Sequence, residues 1–256
     1  MSVVARMRRR LAEESGFSLV EMLVTALVGM VVILATFNLM DSSTRASAGI
    51  EDRVEALQRG RTAFEQITQR LRSQVCPNAT TPAVSYGDSD RVDLSTEMDV
   101  IGAAASDDVF DPERRSIRLE TETVGSESRV RLNEYVWNNY ASTGAHDRKT
   151  TLIDYVGRAL EDEPAAANGE GRAVGAPVPI LRYYAFLGND PATPALLLQT
   201  PLSATDRARV VKIAVSFDAR PGRRRATKNR TDTTFEGDVF VRTADPTDPE
   251  HSPQCL

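Results

Sequence analysis

Between Gly16 and Asp41 the chain carries one charged residue, Glu21, in an otherwise apolar run. A charge inside a membrane-length segment costs about 2.5–3.5 kcal/mol at the helix centre on insertion scales. Such a residue usually marks a pairing with an opposite charge. Cys76 and Cys255 are the only cysteines, and neither lies near another cysteine or a histidine at metal-ligand spacing, which argues against zinc. In an oxidising compartment they would form a disulfide; otherwise they remain two unpaired thiols. Closing so long a loop contributes on the order of 4–5 kcal/mol in the chain-entropy model.

Arg220, Arg223, Arg224, Arg225, Lys228 and Arg230 crowd one polar stretch, "RPGRRRATKNR", and are candidates to grip anions such as DNA phosphates. No aromatic residue interleaves them for base stacking, so a solvated hairpin loop is the plainer reading. Asp107, Asp108, Asp111 and Glu113 in "SDDVFDPE" offer hard oxygens without the EF-hand spacing. They read as a solvated loop, and no metal is expected. His146 and His251 stand in polar, loop-like sequence. No nucleophile elbow, phosphate-binding glycine loop or zinc-protease helix occurs. The chain is therefore not read as an enzyme, and no cofactor is expected.

These residues need elements to hold them. The 256 residues suffice for one ordinary domain with an appendage, or for two small domains. A net charge of −5 argues against bulk nucleic-acid binding but leaves room for a local basic patch. Arg6, Arg8, Arg9 and Arg10 precede the apolar run, and Met22 to Met40 carries no charge over 19 residues. At 1.5 Å per residue that is about 28 Å of helix, close to the bilayer core. Arginines before it and Asp41 after it predict a cytoplasmic N-terminus and an exported remainder. No Ala-x-Ala site follows, so the segment is expected to stay attached.

No proline interrupts Phe17 to Val75. Beyond Asp41, Ile50, Val54, Leu57, Phe64, Ile67, Leu71 and Val75 recur at threes, fours and sevens, which predicts an amphipathic continuation of the helix up to Pro77. After Pro77 the period changes. Strands are expected at 91–95, 115–124, 128–137, 149–156, 178–187, 194–200, 208–219 and 235–243, with a hairpin turning near Gly125. A long helix followed by an antiparallel sheet is an α+β layer pattern.

The stretch "ESGFSLVEMLVTALVGMVVILATF" resembles the type IV prepilin signal: a basic leader ending in glycine, then phenylalanine, then a glutamate five residues after the glycine, then a bilayer-length helix. The resemblance implies that a prepilin peptidase cuts after Gly16, that Phe17 becomes the N-methylated first residue, and that Glu21 neutralises the α-amine of a neighbouring subunit. It covers about the first 30 residues; beyond Asp41 it rests on layout. It implies a helix whose second half is buried in a β-sheet head, and the size of that head looks most like PilW-type minor pilins or GspJ-type minor pseudopilins. Asn38 stands where many major pilins carry a helix-breaking proline, a departure that points away from a major subunit.

The sequence thus divides into a cleaved leader (1–16), a membrane and filament-core helix (17–40), its amphipathic continuation (41–75) and a β-rich extracytoplasmic head (76–256). The implied protein is a minor pilin or pseudopilin that primes, caps or decorates a type IV pilus or type II secretion pseudopilus. Its implied partners are the prepilin peptidase, other pilin subunits, an inner-membrane assembly platform and membrane lipid. It would reside in the cytoplasmic membrane, head outside, and then in a filament at the cell surface. Two alternatives stand beside this: an adhesive or DNA-uptake pilin acting through the arginine loop, and a membrane-anchored protein that forms no filament.

Overall fold

A computed structural model of the chain describes residues 18–97, 112–125, 127–160, 176–186, 196–222, 232–241 and 255. Contacts divide the chain into two units, one reaching to Ile50 and the other starting at Glu51. Helix α1 (Leu19–Arg72) supplies residues to both.

In the first unit, Ser18 caps α1. Its Oγ accepts the Val20 N–H at 3.3 Å and its carbonyl accepts the Met22 N–H at 3.1 Å, which satisfies donors that a helix start leaves open. The Thr25 and Thr36 hydroxyls donate to the carbonyls of Glu21 (2.8 Å) and Val32 (2.5 Å). Polar groups bonded to their own helix need no water, which suits a hydrocarbon medium. The large apolar side chains from Leu19 to Met40 are exposed. The helix passes Asn38 without a break. It is one helix long and apolar enough to cross a membrane, and so compatible with anchoring.

In the second unit, α1 buries Ala56, Gly60, Ala63, Ile67 and Leu71. This corrects the expected stripe. Ile67 and Leu71 belong to it and Phe64 is half-buried, whereas Val54 and Leu57 stay exposed. Size explains the difference. A Cβ on Gly60 would overlap the Phe235 ring, and one on Gly237 would meet Phe64 Cζ at 2.6 Å. Two glycines thus receive two phenylalanines, and Phe217 completes a cluster with ring centroids 5.6–6.4 Å apart. Small residues are buried here because the strands come closest where the helix surface is lowest.

The helix ends at Arg72, earlier than Val75. Gln74 bridges to Thr96, and the Val75 N–H donates to the Ser95 carbonyl at 3.0 Å. Pairing with the sheet, rather than Pro77, takes the backbone out of the helix.

The single sheet expected from the sequence is two five-stranded antiparallel sheets. The first is a meander of β1 (Val84–Gly87), β2 (Arg91–Thr96), β3 (Glu113–Val124), β4 (Glu127–Trp137) and β5 (Arg148–Asp154). Gly125, at φ 66°, leads the β3–β4 turn, a conformation that costs glycine no Cβ clash. The second sheet runs β10 (Thr233–Phe240), β9 (Lys212–Ala219), β7 (Leu181–Ala185), β8 (Leu196–Leu197), with β6 (Val156–Gly157) also paired to β9. A short helix α2 (Ala204–Arg207), capped by Ser203, precedes β9. The expected strand at 149–156 is broken at Tyr155, whose φ of 59° is unusual for a bulky residue. There the chain leaves the first sheet and enters the second. The corner is held by a hydrogen bond from Arg220 N–H to the Tyr155 carbonyl (3.0 Å) and by Arg59 and Arg129 guanidiniums 5.8 and 5.0 Å from its ring centre.

One core joins Ala63, Ile67 and Leu71 of α1 to Leu94, Ile117 and Leu132 of the first sheet and to Ile213, Val215 and Phe217 of the second. A buried ion network lies beside it. Arg115 donates to Glu134 at 2.7 Å, Arg70 of α1 donates to the same carboxylate oxygen at 3.0 Å, and Arg115 also meets Glu113 and Thr96. Glu134 and Arg115 side chains are 3% and 4% exposed. Removing one partner from such a network leaves an uncompensated buried charge.

Glu134→Gln is expected to destabilise the head by about 3 kcal/mol, read as a lowered midpoint in denaturant unfolding of the full chain in detergent. Gly60→Val is expected to cost about 2 kcal/mol in the same measurement, because overpacking outweighs the gain in helix propensity. An unchanged midpoint would mean that Phe235 moves aside freely.

Candidate functional site

The first turn of α1 is where the sequence concentrates its chemistry. Glu21 lies there, three residues after the capping Ser18, on a helix end whose partial positive charge favours a carboxylate. Its backbone carbonyl accepts from Thr25. Its side chain is exposed, and no hydrogen bond or ion pair joins it to another described residue. Leu19, Val20, Met22 and Leu23 around it are all more than half exposed. The local arrangement is therefore a carboxylate without a counter-charge among the described residues, at the head of an uncovered apolar helix. Gly16 and Phe17 lie outside the described residues.

The two cysteines are joined. Cys76, just beyond α1, is bonded to Cys255, with Cα atoms 5.4 Å apart and a separation of 179 positions in sequence. The bond fastens Cys255 to the segment where α1 hands over to β1. It needs an oxidising compartment to persist.

The arginine loop is only partly visible. Arg220 is described, and Arg223, Arg224, Arg225, Lys228 and Arg230 lie outside the described residues. Arg220 is already engaged: its Nε stands 3.3 Å from Asp232 Oδ2, its guanidinium packs over Gly157, and its carbonyl accepts from Arg59 Nη2 at 2.7 Å. It closes the sheet corner at Tyr155. Of the acidic segment, Glu113 is bound to Arg115, and Asp107, Asp108 and Asp111 lie outside the described residues. His146 packs edge-on against Tyr135 with ring centres 4.8 Å apart, and His251 is not among the described residues.

Among the described residues, no three His, Cys, Asp or Glu side chains converge to hold a metal. A cleft of about 380 Å³ between α1 and edge strand β5 is lined by Gln58, Arg59, Thr62 and residues 151–154. Its charged members are committed elsewhere: Arg59 to Glu55 and the Arg220 carbonyl, Asp154 to Arg131.

The sequence reading missed the Arg70–Arg115–Glu134 network, although a signal was present. Arg115 shares the alternation phase of Ile117 and Leu119, and Glu134 that of Leu132 and Val136. Opposite charges at core-phase positions of two adjoining strands ask to be paired.

No family model, curated protein or solved structure matches this chain.

Replacing Cys76 and Cys255 together by serine is expected to lower the unfolding free energy of the head by about 2–5 kcal/mol. Thermal unfolding of the oxidised wild type against the double variant checks it, and equal stability would mean that the C-terminal tie carries no load.

Proposed function

We propose that this chain is a type IV pilin-like subunit, a minor pilin or pseudopilin that assembles through its N-terminal helix and is a substrate of an enzyme rather than an enzyme itself. The observation that carries this reading is the Glu21 carboxylate, without a partner among the described residues, on an exposed apolar helix and five residues after Gly16. Cleavage after Gly16 would leave an ammonium on Phe17. In one isolated chain, ammonium and carboxylate each carry a desolvation cost of several kcal/mol once lipid or protein surrounds them. In a filament, the Phe17 ammonium of one subunit would meet the Glu21 carboxylate of the next, and only subunits in register would pair both charges. The carboxylate would then set register, as a buried polar residue does in a coiled coil.

Three features support the assignment of the rest. The exposed apolar surface from Leu19 to Met40 is suited first to lipid and then to equivalent helices of other subunits. The disulfide suits a head outside the cytoplasm. The second half of α1 packs into an antiparallel β head, the layout that the prepilin-type signal implies. A continuous helix through Asn38 and a head of two sheets favour a minor subunit over a densely repeated major one.

The deciding experiment is the intact mass and N-terminal residue of the protein taken from host membranes. A start at Phe17, with or without a methyl group, is the expected result. A start at Met1 or Ser2 in a host that has the peptidase removes the reading and leaves a simple membrane anchor. Glu21→Ala is expected to leave processing intact and to lower recovery in sheared filaments by more than about tenfold, since an orphaned ion costs several kcal/mol.

A further inference from the structure

The outer face of the first sheet, opposite the core, carries cations whose partners are rings. On β3 the guanidinium carbon of Arg114 lies 4.1 Å from the centre of Trp137. That of Arg118 lies 4.8 Å from the centre of Tyr135 and 5.8 Å from that of Trp137. The strand register accounts for this: Arg114 is opposite Trp137 on β4, Ser116 is opposite Tyr135, and all project to the side away from Ile117 and Leu132. Trp137 and Tyr135 are only 6% and 7% exposed, so the guanidiniums form the surface and the rings form the bed beneath them.

Arginine stacked flat on an aromatic ring keeps its in-plane N–H groups free for a further acceptor. Arg118 uses only its Nε, which donates to Ser116 Oγ at 2.7 Å. Among the described residues, no hydrogen bond or ion pair reaches the Arg114 guanidinium, and its Nε is buried without a partner there. Arg207, from α2, donates to the Ser85 carbonyl and likewise lacks a carboxylate among the described residues.

Elsewhere in the head, half-buried arginines meet acids: Arg70 with Glu134, Arg158 with Asp90, Arg182 with Glu236. The carboxylates on this face are already committed. Asp93 is held by Arg91 and Ser116, Glu122 by Arg131, and Glu120 accepts from the Tyr135 hydroxyl (2.6 Å) and Asn133 (3.0 Å). The chain as a whole is acidic, with a net charge of −5. Against that background, two half-buried guanidiniums on one face, Arg114 and Arg118, without an acid among the described residues, are suited to an anion from outside.

We propose that Arg114 and Arg118, with Trp137 and Tyr135 as their bed, form a binding site for a ligand bearing two oxyanion groups. Both guanidinium carbons lie over the same indole, so they are no more than about 10 Å apart. Each presents a planar fork that matches a carboxylate or a phosphate through two parallel hydrogen bonds. A ligand with two such groups engages both arginines at once, whereas a monovalent anion engages one. The site is independent of how α1 assembles.

Trp137 is the chain's only tryptophan, so its fluorescence reports on this site alone. The full chain in neutral detergent is titrated with inorganic pyrophosphate, with citrate, and with acetate at matched ionic strength, following indole emission and binding heat. Saturable binding of pyrophosphate or citrate, with acetate weaker by about tenfold or more, is the expected result. Which of the two binds tells a phosphoryl from a carboxyl source. Arg118→Lys, which keeps charge and stem but removes the fork, and Arg114→Gln are each expected to weaken binding about tenfold. Arg53→Gln, on the exposed side of α1, is expected to leave it unchanged. Unfolding curves of each variant confirm that the head is intact. Absence of saturable heat with both ligands, or equal affinity in Arg114→Gln, Arg118→Lys and the wild type, overturns the proposal.

Discussion

The closeness of α1 to the strands governs the head. Ala56, Gly60 and Ala63 present almost no side chain, so β10 can lay Phe235 onto the helix backbone while Phe64 rises over Gly237. The fit is reciprocal: a ring from each element fills the space left by a missing Cβ on the other. Phe217 from β9 then seals the pair, and the remaining core residues grow outward from that contact. Packing of this density tolerates little change in volume, because displaced rings have nowhere to go. At the other end of the same stretch of helix, Arg70 and Arg115 share Glu134. The apolar contact supplies proximity and the ionic one supplies register along the sheet. Displacement of α1 by one residue would strand the Glu134 carboxylate in a dry environment.

Periodicity made much of this fold legible. β2, β3 and β4 fall where alternation predicts them, the turn at Gly125 occurs where a positive φ is easiest, and β9 and β10 pair across the arginine loop in unbroken register. The long helix followed from the absence of proline and from its apolar first half. What escaped has physical causes. The buried stripe was sought among large apolar residues, yet closest approach selects small ones, so Gly60 and Ala63 outrank Val54 and Leu57. The division into two sheets depends on one residue, Tyr155, held in a left-handed conformation by arginines remote in sequence, and no local pattern announces that. β1 reads "VSYG" and pairs through a register shift, so it shows too little alternation to be seen.

The candidate site was legible to the extent that a charge in an apolar run is legible. Glu21 stood out because its cost in that setting is large. Arg220 stood out for the opposite reason, as a member of a dense cationic run, and the structure places it at a sheet corner with Asp232 and Gly157. Charge density along the chain is a weak guide to anion binding, because it ignores which cations are already neutralised. Arg114 and Arg118 are less conspicuous in sequence. Their availability depends on rings carried by the next strand, and becomes visible only when the register sets Trp137 against Arg114.

Glu21 and Glu134 show how one chemical group takes opposite roles in one chain. Glu134 is almost wholly buried, and its desolvation is offset inside the chain by two guanidiniums from different elements. Glu21 is exposed in the isolated chain and has no such partner among the described residues, while the hydroxyl of Thr25, one turn on, is already bonded to its own helix. A carboxylate in water needs no counter-charge. The same carboxylate surrounded by lipid or by other apolar helices does, by several kcal/mol. The first state is comfortable only for a helix left in water, and the apolar surface from Leu19 to Met40 rules that out as a lasting condition. Whatever covers that surface leaves the carboxylate's desolvation to be offset by a positive charge within reach of Glu21. Under the proposed assembly, a neighbouring subunit that carries its own ammonium at the same depth supplies both the cover and the charge.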